Sequence, residues 1–151
     1  PSEIRNFIND QNPDILCIQE FSNAAKLDLK IYPYQYVFMK GEKIKTGQAI
    51  FSKYPIIDQG NLVFPNSNNN AIFADIKKGK DIIRVDNMHL QSIKISPDVN
   101  EISENIDGIN HDKSQLLIIR ISKAFKKQQQ QAEILMNHKK KYRQYKFQNY
   151  L

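Results

Sequence analysis

The sequence predicts an α/β fold, a helix layered on a mixed sheet. Three observations point there. An amphipathic segment, residues 2–11, precedes a short apolar run, Ile15-Leu16-Cys17-Ile18. Several strand-like segments with tight-turn signals follow over residues 34–90. A long helical pattern then runs from Lys113 to about Lys140.

Each element has a local reason. Ser2 suits an N-cap, and Ile4, Phe7 and Ile8 fall on one helical face. Asn12-Pro13-Asp14 ends that helix, because a residue before proline is pushed out of the α region. The run Ile15 to Ile18 reads as a buried strand that closes on the polar pair Gln19-Glu20. Cys17 is expected in the core. Tyr34, Tyr36, Val37 and Phe38 mark a second strand over 34–40, and Gly41 and Gly47 bracket a turn, Glu42 to Thr46. Ala49-Ile50-Phe51-Ser52 is a further strand, stopped by Lys53-Tyr54-Pro55. Residues 60–64 form a weak strand, and Pro65 to Asn70 a loop by composition. Ala71 to Ile76 and Ile82 to Leu90 are strands joined through Lys77-Lys78-Gly79-Lys80-Asp81. Residues 91–112 lack periodicity and are expected to be an excursion with a helical turn near 100–105. In the last helix, Leu117, Ile121, Ala124, Phe125, Ala132 and Leu135 mark one face. Gln128 to Gln131 read as a solvated stretch of it.

The chain has 151 residues, enough for about one domain. Its 40% apolar and 25% charged residues exclude a disordered tail and a collagen. No apolar run is long enough for a transmembrane helix. The start, PSEIRNFIND, has neither the basic nor the apolar region of a signal peptide. It begins at Pro1 rather than Met, which leaves room for preceding residues. A single cysteine excludes an intramolecular disulfide framework and favours a reducing, cytoplasmic compartment.

Charge is lopsided. Residues 113–151 hold ten Lys/Arg against Glu133, a net +9, which leaves −3 on residues 1–112. The body is therefore mildly acidic and the tail strongly basic.

Glu20 stands at the carboxyl end of a predicted strand, where α/β sheets place ligands. A hard divalent cation such as Mg²⁺ takes carboxylate oxygens there, with water and substrate phosphate. Position alone suits an ordinary solvated acid better. In Arg84 to Ser92, strand alternation puts Ile83, Val85, Asn87 and His89 on one face. A histidine beside a phosphate can donate a proton or a hydrogen bond. A histidine satisfied in a polar corner fits the same pattern. His111 and His138 have no ligand-spaced partner and read as surface residues. There is no CxxC, HExxH, GxSxG or GxxxxGK[ST].

Three stretches together resemble the endonuclease/exonuclease/phosphatase superfamily. Asn12-Pro13-Asp14-Ile15-Leu16-Cys17-Ile18-Gln19-Glu20 is similar to its PDI-apolar-x-LQE strand. Gly47 to Ile56 is similar to its G-x-AIFSKYPI strand, and Asn87 to Ser92 to its N-x-HL-x-S strand end. The resemblance runs from Pro1 to about His138, with 139–151 as a basic tail. It implies the first half of a DNase I-like four-layer α/β sandwich, truncated at both ends. It implies metal-assisted phosphoester hydrolysis. Glu20 matches the Mg²⁺ or Mn²⁺ ligand, and His89 the histidine at the scissile phosphate. Asn87, on the same face, is expected to orient the site. Substrates in the family span nucleic acids, phospholipids and nucleotides.

The family's GDFN and SDH motifs occur nowhere in the sequence. The family's first strand, with its asparagine, would lie upstream of the first helix. The expectation is an incomplete copy with little activity of its own. An exposed sheet face is then expected to favour self-association. Lys139-Lys140-Lys141-Tyr142-Arg143-Gln144-Tyr145-Lys146-Phe147 departs abruptly from the family's apolar strand, as a frameshift or early stop would. Its cations interleaved with aromatics suit a nucleic-acid-binding module, although a charge run of this kind reads first as a solvated helix end, and the remaining reading is a non-catalytic scaffold half.

Overall fold

A computed structural model describes residues 2–22, 27, 29–39, 46–93 and 111–149. The chain forms two compact units, 1–89 and 90–151. In the first, helix α1 (Ser2–Gln11) is followed by strands β1 (Ile15–Phe21), β2 (Tyr34–Met39) and β3 (Gly47–Ser52). Strands β4 (Ile56–Val63), β5 (Asn70–Lys78) and β6 (Asp81–Met88) complete it. The second unit contains helix α2 (His111–Asn149).

The α/β class is as the sequence predicts, but the strands divide into two sheets. One has the order β1-β3-β2 and the other β4-β5-β6, every pairing antiparallel. The expected mixed sheet is thus a pair of antiparallel ones. Short links such as Gly79-Lys80 between β5 and β6 permit nothing else, since parallel neighbours need a long crossover. Gly79 takes a φ of 63° there, a conformation glycine adopts without a Cβ clash.

Strand β3 is the central strand of its sheet and is buried on both faces. Ala49 and Phe51 pack with Ile8 and Tyr32, against Leu16, Ile18 and Val37. The Phe51 ring meets Phe21 edge-on at 5.7 Å, and Tyr32 donates its hydroxyl proton to the Pro13 carbonyl at 3.0 Å. On the opposite face, Ile50 joins Ile72, Ala74 and Ile76 of β5, with Tyr36, Phe38 and Val85 around them. That second cluster glues the two sheets together, and each fully buried isoleucine contributes about 1.5–3 kcal/mol.

Several local expectations need correction. Of the predicted α1 stripe only Ile8 is buried, while Ile4 and Phe7 are 57% and 65% exposed. The narrow three-stranded sheet covers only one residue of that stripe. Cys17 is exposed rather than core, because β1 is an edge strand. Strand β4 begins at Ile56, not residue 60. Helix α2 continues through the polylysine stretch to Asn149. Among its described side chains Ala124, Gln131 and Leu135 are buried, whereas Phe125 is 55% exposed. Gln131 Oε1 accepts the Gln91 N–H at 2.8 Å, so the glutamine run is not wholly solvated. Residues 42–45 of the expected turn Glu42 to Thr46, and the expected turn at 100–105, lie outside the described residues.

Among the described residues, no helix is long and apolar enough to cross a membrane.

Candidate active site

The two sheets meet at a polar rim formed by the ends of β1 and β6 and the starts of β3 and β5. Amide side chains stitch it. Asn87, 4% exposed, donates from Nδ2 to the carbonyls of Ile18 at 3.0 Å and Ala49 at 3.2 Å. Gln19 donates from Nε2 to the Met88 carbonyl at 2.6 Å. Gln48, 2% exposed, donates to the Asn70 carbonyl at 2.7 Å and to its Oδ1 at 2.8 Å. Asn70 in turn donates from Nδ2 to Asn61 Oδ1 at 2.9 Å. Buried amides require such partners, so each bond constrains its neighbours.

These clasps fix His89. Its backbone N–H donates to the same Asn70 carbonyl at 3.1 Å, just past the end of β6. Val85 and Asn87 share its strand face, as alternation predicts, and both point toward the first sheet.

Glu20 reaches the rim through an irregularity in β1. The ladder pairs Ile18 with Ala49 and Phe21 with Gly47, so β1 carries one extra residue. This is a bulge, a device that re-aims a side chain. Glu20 takes a φ of 53°, in the left-handed region. A non-glycine residue held there stores about 1–2 kcal/mol of strain. Gly47 lies opposite, where an added Cβ would collide with the Phe38 carbonyl.

The result brings Glu20 Oε1 to 3.7 Å from His89 Nε2. Glu20 is 73% exposed and His89 is 30% exposed. The two residues singled out from separate motifs therefore stand side by side at one rim. Asn87 lies behind them, with both amide protons already given to backbone carbonyls. Sequence reasoning missed Gln19, Gln48 and Asn70. Polar residues at predicted strand termini were the signal that could have found them.

As a metal centre the donor set is sparse. No group of three or more His, Cys, Asp or Glu that could hold a metal occurs among the described residues. One exposed carboxylate is nonetheless compatible with Mg²⁺, which keeps several waters and borrows substrate oxygens.

The profile of the Endonuclease/Exonuclease/phosphatase family matches residues 1–124. The chain belongs to that family. Its fold is a partial DNase I-like α/β fold. It resembles D. rerio TDP2 complexed with a single-strand DNA product, at 15% identity and a TM-score of 0.53, covering 72% of this chain and 48% of that one. It also resembles truncated Caenorhabditis elegans TDP2, at 19% identity and a TM-score of 0.50, covering 78% and 48%. The chain spans about half the length of these structures. No curated protein matches it.

Other motif residues stand away from Glu20. Lys53 Nζ donates to Asn12 Oδ1 at 2.7 Å and to the Asn12 carbonyl at 2.9 Å. The Tyr54 N–H donates to Ser52 Oγ at 2.9 Å. The Ser-Lys-Tyr-Pro stretch thus ties β3 to the end of α1, a structural task.

Proposed function

We propose that the chain carries part of a metal-dependent phosphoester hydrolase site, with Glu20 and His89 at its centre. The 3.7 Å approach of these two side chains carries the reading. Glu20 would hold Mg²⁺ or Mn²⁺ through its exposed carboxylate. When bound, such a cation polarises a phosphoryl oxygen and offsets charge developing on it. His89 would contact the same phosphate from Nε2, its main chain held by Asn70. Asn87, Gln48 and Gln19 are positioning residues: they fix the strand ends from which Glu20 and His89 project.

These residues supply one carboxylate and one imidazole, and no further acid or base to activate water. Little turnover is therefore expected from the 151 residues alone, and binding is the sharper test. Mn²⁺ binding followed by water-proton relaxation should weaken at least about tenfold in Glu20→Gln, the equivalent of about 1.4 kcal/mol. His89→Ala should leave Mn²⁺ affinity in place and weaken inorganic phosphate in the ternary complex. Equal Mn²⁺ binding by the wild type and Glu20→Gln would overturn the assignment.

A further inference from the structure

Gln48 carries an oxygen that the amide stitch leaves over. Its Nε2 gives both protons to Asn70, one to the carbonyl at 2.7 Å and one to Oδ1 at 2.8 Å. Among the described residues nothing donates to its Oε1, although Gln48 is only 2% exposed. Turning the amide over does not help. Asn70 Oδ1 is fixed as an acceptor, because Asn70 Nδ2 donates to Asn61 Oδ1. A turned Gln48 would set its oxygen against two others. A buried acceptor without a donor is costly, and native proteins rarely keep one unless a water or an ion meets it.

Gln48 also stands at the candidate site. Ile18 pairs with Ala49 and Phe21 with Gly47, so Gln48 is the β3 residue opposite the bulge of Gln19 and Glu20. The Asn70 carbonyl that takes its proton also takes the His89 N–H at 3.1 Å. Gln48 therefore lies between the two segments whose side chains, Glu20 and His89, meet at 3.7 Å. The chemistry of a fitting donor is narrow. A phosphate oxygen or an ionised carboxylate has no proton to offer Oε1. An uncoordinated water needs donors as well as acceptors. The amide protons of Gln48 and Asn87 are already given to oxygens. A water on a divalent cation turns its lone pair to the metal and offers only protons. Mg²⁺ keeps several such waters.

We infer that Gln48 Oε1 accepts a hydrogen bond from a water on the cation held by Glu20, so that Gln48 positions the hydrated ion as well as clasping Asn70. This rests on the reading of Glu20 as the cation's ligand. Outer partners of this kind change metal affinity about 10–100-fold. The test follows Mn²⁺ binding to the whole chain by water-proton relaxation. Gln48→Met keeps the length of the side chain and removes the oxygen, and should weaken Mn²⁺ at least about tenfold. Asn61→Ala loosens the same row of amides from its far end and leaves Oε1 in place. It should keep Mn²⁺ affinity within about threefold. Urea titration of the wild type and both variants separates a folding defect from a binding one. A crystal structure of the wild type with Mn²⁺ should show a water bonded to both the cation and Oε1, a result that stands even if Gln48→Met fails to fold. Equal affinity in the wild type and Gln48→Met, with Glu20→Gln weakened, would overturn this inference and leave Glu20 in its role. Equal losses in Gln48→Met and Asn61→Ala would make Gln48 a structural clasp only and overturn it too. So would a water at Oε1 that is no ligand of the metal. Undiminished Mn²⁺ binding by Glu20→Gln would overturn both readings.

Discussion

At one end of the two-sheet unit, Asp14 accepts from the Tyr54 hydroxyl at 3.1 Å and from Lys78 Nζ at 2.9 Å. At the other end, Asn87, Gln19 and Gln48 reach between strand ends to backbone carbonyls. Both ends join the first sheet to the second. The Asp14 end does so with exposed charges, which salt screens and water competes for. The Asn87 end does so with the buried amides of Asn87 and Gln48, beside the exposed Gln19, and losing a buried amide strands carbonyls away from water. Glu20 and His89 stand at the amide end. A site that must hold two groups in fixed geometry gains from the stiffer fastening.

Removing the central amide is the strongest way to break this contrast. Asn87→Ala deletes two side chain–backbone bonds at a 4% exposed position. It should cost about 2–3 kcal/mol of unfolding free energy in urea titration. It should also weaken Mn²⁺ binding, although Asn87 has no free amide proton to offer a ligand. A change under about 0.5 kcal/mol, typical of a surface substitution, would mean that the amides do not fasten this end.

Glu20 sharpens the comparison in the other direction. Its φ of 53° suits glycine better than glutamate. Glu20→Gly should therefore stabilise the chain by about 1 kcal/mol while abolishing metal binding. Glu20→Gln, which keeps the strained backbone, should leave stability unchanged. Equal melting temperatures for the two variants would show that no strain resides at the bulge.

What the sequence disclosed follows from what its patterns encode. Alternation in Arg84 to His89 placed Asn87 and His89 on one face, because a strand's period is fixed by its pleat. The burial of β3 was less legible, since a run such as Ala49-Ile50-Phe51 shows no alternation when both faces are covered. The four-residue apolar run at 15–18 looked equally buried, yet β1 is an edge strand with Cys17 exposed. Sheet order is set by long-range pairing, which local composition does not record. The pairing of Glu20 with His89 depends on a bulge, and no residue type in Gln19-Glu20-Phe21 announces one. The glutamines hid their role for another reason. A buried amide and a solvated one are the same letter, and only Asn70 and Gln91 distinguish Gln48 and Gln131 from their exposed neighbours.

The smallest effect belongs to the charged end, and pH reveals it. Hydrogen bonds from Lys78 first, then from Tyr54, hold the Asp14 carboxyl below its ordinary 3.8. The same pairing with Asp14 raises Lys78 above its ordinary 10.5. A lowered acid pKa adds stability that is fully present above 3.8 and is lost as pH falls through the lowered value. A raised lysine pKa adds stability present below 10.5 and lost as pH rises through the raised value. Between these limits Asp14→Asn should be slightly less stable than the wild type in low salt. Below the lowered Asp14 value the two should unfold at the same urea concentration, and high salt at neutral pH should narrow the gap as well. The Asn87→Ala deficit, by contrast, should persist in both conditions, because no charge is involved. If salt or acid erased that deficit too, the two ends would share one kind of fastening and the contrast between them would fail.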